Sequence, residues 1–257
     1  MKDYTLITGA SSGLGVDFAK EYAKQGKNLI LIARREDRLL QLKEELNSYP
    51  IEIMVSRVDL NQPHEIESFL SGLPKDIFIE RLINNAGFGN HSAFENQDLE
   101  VISSMTQVNI AALNHLIHAC VPAMKKAKRG EILNVASVAA FTPGPYMAQY
   151  YATKAYVLSL SVALQAELNP FGIHVSALCP GPTHTEFFKV AKNGPQDVYT
   201  RFTMDALPVV QKGIRDLHRN KAISVPGIRN QVLVFITQLT PKIFLAKMVA
   251  RIQQTKA

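Results

Sequence analysis

Short runs of apolar and β-branched residues alternate along this chain with longer stretches whose apolar positions recur every three or four residues. The runs at 4–8, 28–33, 51–58, 81–84, 131–136 and 173–178 are apolar over most successive positions, as strands buried on both faces must be. A weaker seventh run lies at 222–225. Residues 14–25, 37–48, 65–70, 98–124 and 151–168 carry the helical spacing between them. Strand and helix in regular turn predict βαβ units, hence an α/β fold: a doubly wound parallel sheet of about seven strands with helices on both faces. No internal repeat or low-complexity linker breaks the rhythm, so residues 1–257 read as one domain with a helical C-terminal extension.

Composition narrows the class. With 257 residues, 47% of them hydrophobic and 19% charged, the chain is large enough to cover a sheet on both sides. The apolar stretch after Met1-Lys2-Asp3 is too short for a signal peptide, and no other run reaches membrane-spanning length, so a soluble, cytoplasmic protein is expected. Cys120 and Cys179 stand far apart in apolar surroundings, which suits buried free thiols, and no metal-ligand constellation is visible. The net charge of +6 is unevenly placed. Residues 211–257 hold nine Lys or Arg against the single Asp216, leaving −2 for the remainder. With neither a recognised motif nor an aromatic stacking platform beside these cations, nucleic acid is not an expected partner.

The first strand runs directly into Thr8-Gly9-Ala10-Ser11-Ser12-Gly13-Leu14-Gly15 and then a helix. Glycines permit a tight turn and close approach of backbone N–H groups to a pyrophosphate, whose charge is favoured at the helix N-terminus. Ser11 and Ser12 can add hydroxyl donors. Such a turn alone can also be a plain strand-to-helix connection; its company is what matters. Asp59 follows the third strand, Asn85-Ala86-Gly87 the fourth, Ser137 the fifth and Pro180-Gly181-Pro182-Thr183-His184-Thr185 the sixth, while Asn109 sits in a long helix. Ligands of open α/β sheets bind at the carboxyl ends of the strands, so these segments converge on one crevice.

Tyr150 and Lys154, four positions apart on a helix, share one face with Cβ atoms about 5–6 Å apart. Moving a tyrosine from about pKa 10 to about 7 takes roughly 4 kcal/mol, and one ammonium near 4 Å at an effective dielectric of about 20 supplies a similar amount. Tyr151, three residues from Lys154, can meet the same lysine.

These motifs, in this order and spacing from Tyr4 to about Thr185, resemble the short-chain dehydrogenase/reductase family. The resemblance implies a nicotinamide-dependent oxidoreductase acting reversibly on a carbonyl or secondary alcohol. Tyr150 is then the catalytic acid or base, Lys154 binds the nicotinamide ribose and holds Tyr150 toward its anion, Ser137 donates to the substrate oxygen, and Asn109 anchors a proton-relaying water. Gly9, Ser11, Ser12, Gly13, Leu14, Gly15, Asn85, Ala86 and Gly87 line the cofactor, Asp59 lies toward the adenine, and Pro180, Gly181, Thr183 and Thr185 meet the nicotinamide end. Homo-oligomers formed through helices 98–124 and 151–168 are also implied.

Cofactor choice turns on the end of the second strand. An NAD enzyme presents an acid there, whereas this chain offers Arg34 and Arg35, whose guanidinium groups suit a 2′-phosphate; NADP(H) is expected. The other reading has Glu36 or Asp37 gripping the ribose of NAD. Residues 186–205, with Phe187, Phe188, Tyr199 and Phe202, read either as a substrate flap with an apolar lining or as a fixed helical cover, and suggest a hydrophobic carbonyl substrate. His115 and His118 lack any partner for a metal site, and His184 is a loop residue near the mouth. The basic helices of 228–257 can meet an anionic membrane or an acidic acyl carrier, the latter implying a 3-oxoacyl-carrier reductase; they can equally dock on the core or a partner subunit. A noncatalytic NADP(H)-sensing protein is the alternative from another class.

Overall fold

The computed structural model describes residues 1–185 and 203–254. Seven parallel strands lie in the order β3-β2-β1-β4-β5-β6-β7: β1 (Lys2–Thr8), β2 (Asn28–Ala33), β3 (Ile53–Arg57), β4 (Ile77–Asn84), β5 (Gly130–Val135), β6 (Ile173–Leu178) and β7 (Ile223–Ser224). The order reverses between β1 and β4, so their carboxyl ends open a crevice at the switch point. Helices α1 (Leu14–Lys24) and α2 (Glu36–Glu45) cover one face, and α3 (Pro63–Ser71), α5 (Ala112–Ala127) and α6 (Ala148–Leu168) the other. Leu6, Ile30, Leu82 and Ile132 pack on the second face, whereas Ile7, Leu29, Leu31, Ile83 and Leu133 pack on the first. Neighbouring strand residues thus bury opposite ways, the reason these strands are apolar throughout.

Three departures from the sequence expectation matter. The stretch expected as one helix at 98–124 is α4 (Leu99–Thr106), a π turn over Gln107–Ala111, and α5. A helix α7 (Ala206–His218), absent from the expectation, buries Val209, Val210, Ile214 and Leu217 against the sheet. The seventh strand shrinks to Ile223–Ser224. The C-terminal segment forms α8 (Ile228–Leu239) and α9 (Lys242–Gln253), separated at Pro241, where the missing backbone N–H favours a helix start. Most of the segment expected as a flap, residues 186–202, lies outside the described residues, with Phe187, Phe188, Tyr199 and Phe202 among them. Cys120 and Cys179 are buried free thiols, both pushed up to about 12 by burial. No cluster of metal-ligating side chains occurs among the described residues.

Candidate active site

The turn after β1 and the loop after β4 are laced together. Thr8 Oγ1 accepts from the backbone N–H groups of Asn85 and Ala86 at 3.0 and 2.9 Å, and Asn85 Nδ2 donates to the Thr8 carbonyl at 2.9 Å. This closeness requires glycine. A Cβ on Gly9, whose φ is 64°, would lie 3.0 Å from Ala86 Cα, and one on Gly15 would lie 2.3 Å from the Gly9 carbonyl oxygen. No side chain caps the N-terminus of α1 at Gly13, and Gly13 and Leu14 line the cleft, so this helix end borders it without a local side-chain acceptor.

The crevice is a cleft of about 490 Å3. It brings together Gly9, Ser11, Ser12, Gly13 and Leu14 from the first turn, Arg34 and Arg35 from the end of β2, and Asp59 after β3. Asn85, Ala86 and Gly87 line it from β4, and Pro180, Gly181, Thr183 and Thr185 from the loop after β6. Ser137, Tyr150 and Lys154 form its inner end. Gly15 and Asn109 do not line it. Arg35 donates through Nε to Ser11 Oγ at 3.3 Å, tying the β2 end to the glycine turn, while Arg34 is exposed. Glu36 and Asp37 belong to the first turn of α2 and do not line the cleft. Asp59 Oδ1 accepts from the Asn61 backbone N–H at 3.0 Å, so one carboxylate oxygen is already engaged.

Helix α6 carries Tyr150 and Lys154 into the cleft because its inward face is locked below them. Asn84 Nδ2 donates to Asn134 Oδ1 at 2.9 Å, Asn134 Nδ2 to Ser161 Oγ at 3.0 Å, and Ser161 Oγ to the Val157 carbonyl at 2.6 Å. This buried chain joins β4, β5 and α6, and slipping the helix would strand all of it. Tyr150 is 8% exposed and Lys154 5%. Burial drives the Tyr150 phenol well above its ordinary range, and a side-chain hydrogen bond with Ser137 works in the opposite direction. Lys154, held down to about 8 by burial, donates to the Val135 backbone carbonyl at 2.7 Å, and its Nζ lies over the Tyr150 ring, 5.8 Å from the centroid. Without a carboxylate nearby, the buried ammonium takes the closest carbonyl oxygen.

Asn109 sits in the π turn, 2% exposed. Its Oδ1 accepts from the Phe88 backbone N–H at 3.1 Å, and its Nδ2 donates to the Phe88 carbonyl at 2.9 Å and to Thr153 Oγ1 at 3.0 Å. Its amide therefore clamps the loop after β4 to α6; π turns recur at functional sites.

A family model described as short chain dehydrogenase matches residues 3–196. The chain belongs to the short-chain dehydrogenase/reductase family. It is 33% identical over 220 residues to sulfoacetaldehyde reductase 2 of Chromohalobacter salexigens, covering 84% of this chain and 87% of that protein. A short-chain dehydrogenase from Sphingobium yanoikuyae, solved in complex with NADPH, superposes with a TM-score of 0.83 at 32% identity, over 100% of this chain and 98% of the other. A bulky-bulky ketone specific alcohol dehydrogenase from Comamonas testosteroni gives a TM-score of 0.78 at 30% identity, over 100% and 97%.

As a short-chain dehydrogenase/reductase, the protein is an oxidoreductase. Beside Tyr150 the cleft is apolar: Ala139, Met147, Phe88 and Tyr151 line it, and Met105 packs behind them in the same cluster. Tyr151 does not compete for Lys154. Its ring lies edge-on to Tyr150, with centroids 6.1 Å apart, and its hydroxyl accepts from Gln253 Nε2 of α9 at 3.0 Å. His91 Nε2 meets the Gln253 carbonyl at 3.2 Å and stacks on Tyr146, whose φ of 65° is unusual for a residue with a side chain. The C-terminal helix thus ends against Tyr151, a residue of the cleft lining. Sequence reasoning had no signal for His91 or Gln253, which meet across 162 residues.

Proposed function

We propose that this chain is an NADP(H)-dependent carbonyl reductase that interconverts a hydrophobic ketone or aldehyde and its alcohol. The observation that carries the reading is one cleft with a glycine turn and two arginines at one end and Ser137, Tyr150 and Lys154 at the other. The donor set fits a phosphorylated dinucleotide: glycines that a Cβ would obstruct, an uncapped helix N-terminus, and guanidinium groups where an acid would repel a 2′-phosphate. NADPH-bound and ketone-specific relatives support the same reading.

The nicotinamide, when bound, supplies or accepts the hydride. This chain's residues handle the oxygen and its proton. Ser137 Oγ donates to the carbonyl oxygen and Tyr150 Oη transfers its proton to that oxygen as the alcohol forms; in the reverse direction the phenolate takes it back. Lys154, one helical turn away with its Nζ 5.8 Å from the Tyr150 ring centroid, provides the positive charge that stabilises the phenolate. Asn109 holds the loop at Phe88 against α6. The apolar wall of Phe88, Ala139 and Met147 favours a substrate with hydrophobic substituents and excludes water from the proton transfer. A homo-oligomer is part of this reading, with Tyr156 and Val162 on the outer face of α6 exposed for it.

The test is a screen of chemically diverse free and carrier-linked carbonyls by consumption of NADPH and of NADH. The reading expects turnover of free apolar ketones with NADPH preferred. Turnover confined to carrier-linked 3-oxoacyl chains, or preference for NADH, would replace it.

A further inference from the structure

We propose that the outer faces of α8 and α9 form a docking surface for an anionic lipid bilayer. These helices turn more large apolar side chains outward than inward. In α8 the protein-facing positions are Val234 and Thr237, both buried, with Asn230 half-buried, while Val232, Leu233, Phe235, Ile236 and Leu239 face outward. Phe235 is 62% exposed and Leu239 73%. In α9 the inner row is Leu245 and Gln253, whereas Ile243, Phe244 and Met248 are exposed. A helix lying on its own protein turns its apolar stripe inward. Ten of the nineteen large hydrophobic side chains exposed among the described residues lie between Ile228 and Ile252, so the apolar surface is concentrated there. Patches of that kind mark an external partner.

Charge selects the partner. Arg229, Lys242, Lys247 and Arg251 are exposed on the same two helices and form no ion pair among the described residues. No acidic residue follows Asp216, and Asp216 is itself buried and held by Lys212 at 2.7 Å and Lys221 at 3.1 Å. A second copy of this chain seated face to face would oppose one set of cations to another with no carboxylate between them. An anionic bilayer accommodates both features, with apolar side chains at the acyl boundary and cations at the phosphates. Each helix of twelve residues spans about 18 Å, short of the roughly 30 Å hydrocarbon layer. No described helix is long and apolar enough to cross a membrane, so the geometry is that of a helix pair lying on the surface. The inference is independent of the hydride-transfer reading.

Flotation of the full-length protein tests it, using phosphatidylcholine vesicles and vesicles of equal parts phosphatidylcholine and phosphatidylglycerol. Binding to the mixed vesicles should exceed that to phosphatidylcholine at least about tenfold and fall in high salt. Two triple variants, Phe235→Ser/Leu239→Ser/Phe244→Ser and Lys242→Glu/Lys247→Glu/Arg251→Glu, should each lose at least about tenfold in binding. Circular dichroism and sedimentation accompany each protein, and Phe244→Ser and Lys247→Glu alone replace a triple variant that does not fold, with a smaller loss expected in the same direction. Absence of flotation, or equal partitioning of wild type and the charge-reversed variant, overturns the proposal. So does a wild-type oligomer that the serine variant dissociates, which would make the face an interface between copies.

Discussion

The Lys154 ammonium donates to the Val135 backbone carbonyl at 2.7 Å, although the Tyr150 phenol is one helical turn away on the same helix. The buried ammonium is a burden on the fold, because burial holds its pKa at about 8 against an ordinary 10.5.

Replacing Lys154 by Met should stabilise the protein while abolishing its chemistry. Below about pH 8 the lysine is charged in both folded and unfolded chains, and the burial penalty is full. Between about 8 and 10.5 the unfolded chain holds a proton that the folded one has released, so wild-type stability rises with pH; above that range the penalty is gone. After allowance for the lost hydrogen bond to Val135, Lys154→Met should gain on the order of 2 kcal/mol at neutral pH, seen as a Tm several degrees higher. The gain should shrink when melting is repeated near about pH 9.5. A melting curve unmoved at neutral pH, or a gain independent of pH, would show that the ammonium is not penalised.

Arg34 is exposed at the end of β2, whereas Arg35 is tied to Ser11. Arg34→Ala should raise KM for NADPH by about 10–100-fold, the worth of a charge-assisted hydrogen-bond pair, and change KM for NADH less than about threefold. Steady-state kinetics with both cofactors checks this. Equal losses for the two would mean that Arg34 does not read a 2′-phosphate.

Tyr151, which lines the cleft, and Gln253 of α9 form one hydrogen-bonded unit. Tyr151→Phe removes the acceptor of the buried Gln253 amide, which should cost about 1–3 kcal/mol; in Tyr151→Phe/Gln253→Leu no polar group is stranded and much of that loss should return. A double-mutant cycle by urea denaturation reads the coupling. Additive losses would mean that the hydrogen bond does not hold α9 in place.

Much of this architecture is legible in the residues themselves. The runs at 28–33 and 173–178 coincide with β2 and β6, because a strand covered on both faces leaves an uninterrupted apolar signature. The motifs from Gly9 to Thr185 gather at one edge because parallel topology puts every strand's carboxyl end there. What escaped is physically different in kind. The π turn around Asn109 leaves the hydrophobic spacing nearly unchanged, so 98–124 reads as one helix. Helix α7 carries Val209, Val210, Ile214 and Leu217 at helical spacing, but Pro208 and Gly213 dilute the pattern. The Val135 carbonyl that holds Lys154 is a backbone atom with no side-chain signature. The apolar outer faces of α8 and α9 share the period of a core-facing stripe, and only the coordinates tell which way they point.

The central claim is that the Tyr150 phenol is the group that exchanges the proton with the substrate oxygen. Tyr150→Phe, assayed for ketone-dependent NADPH oxidation alongside direct NADPH binding by fluorescence, tests it most directly. The account predicts a fall in kcat of about 10²–10⁴-fold with NADPH affinity retained within about threefold. Turnover at the wild-type rate in a variant that folds and binds NADPH would contradict it.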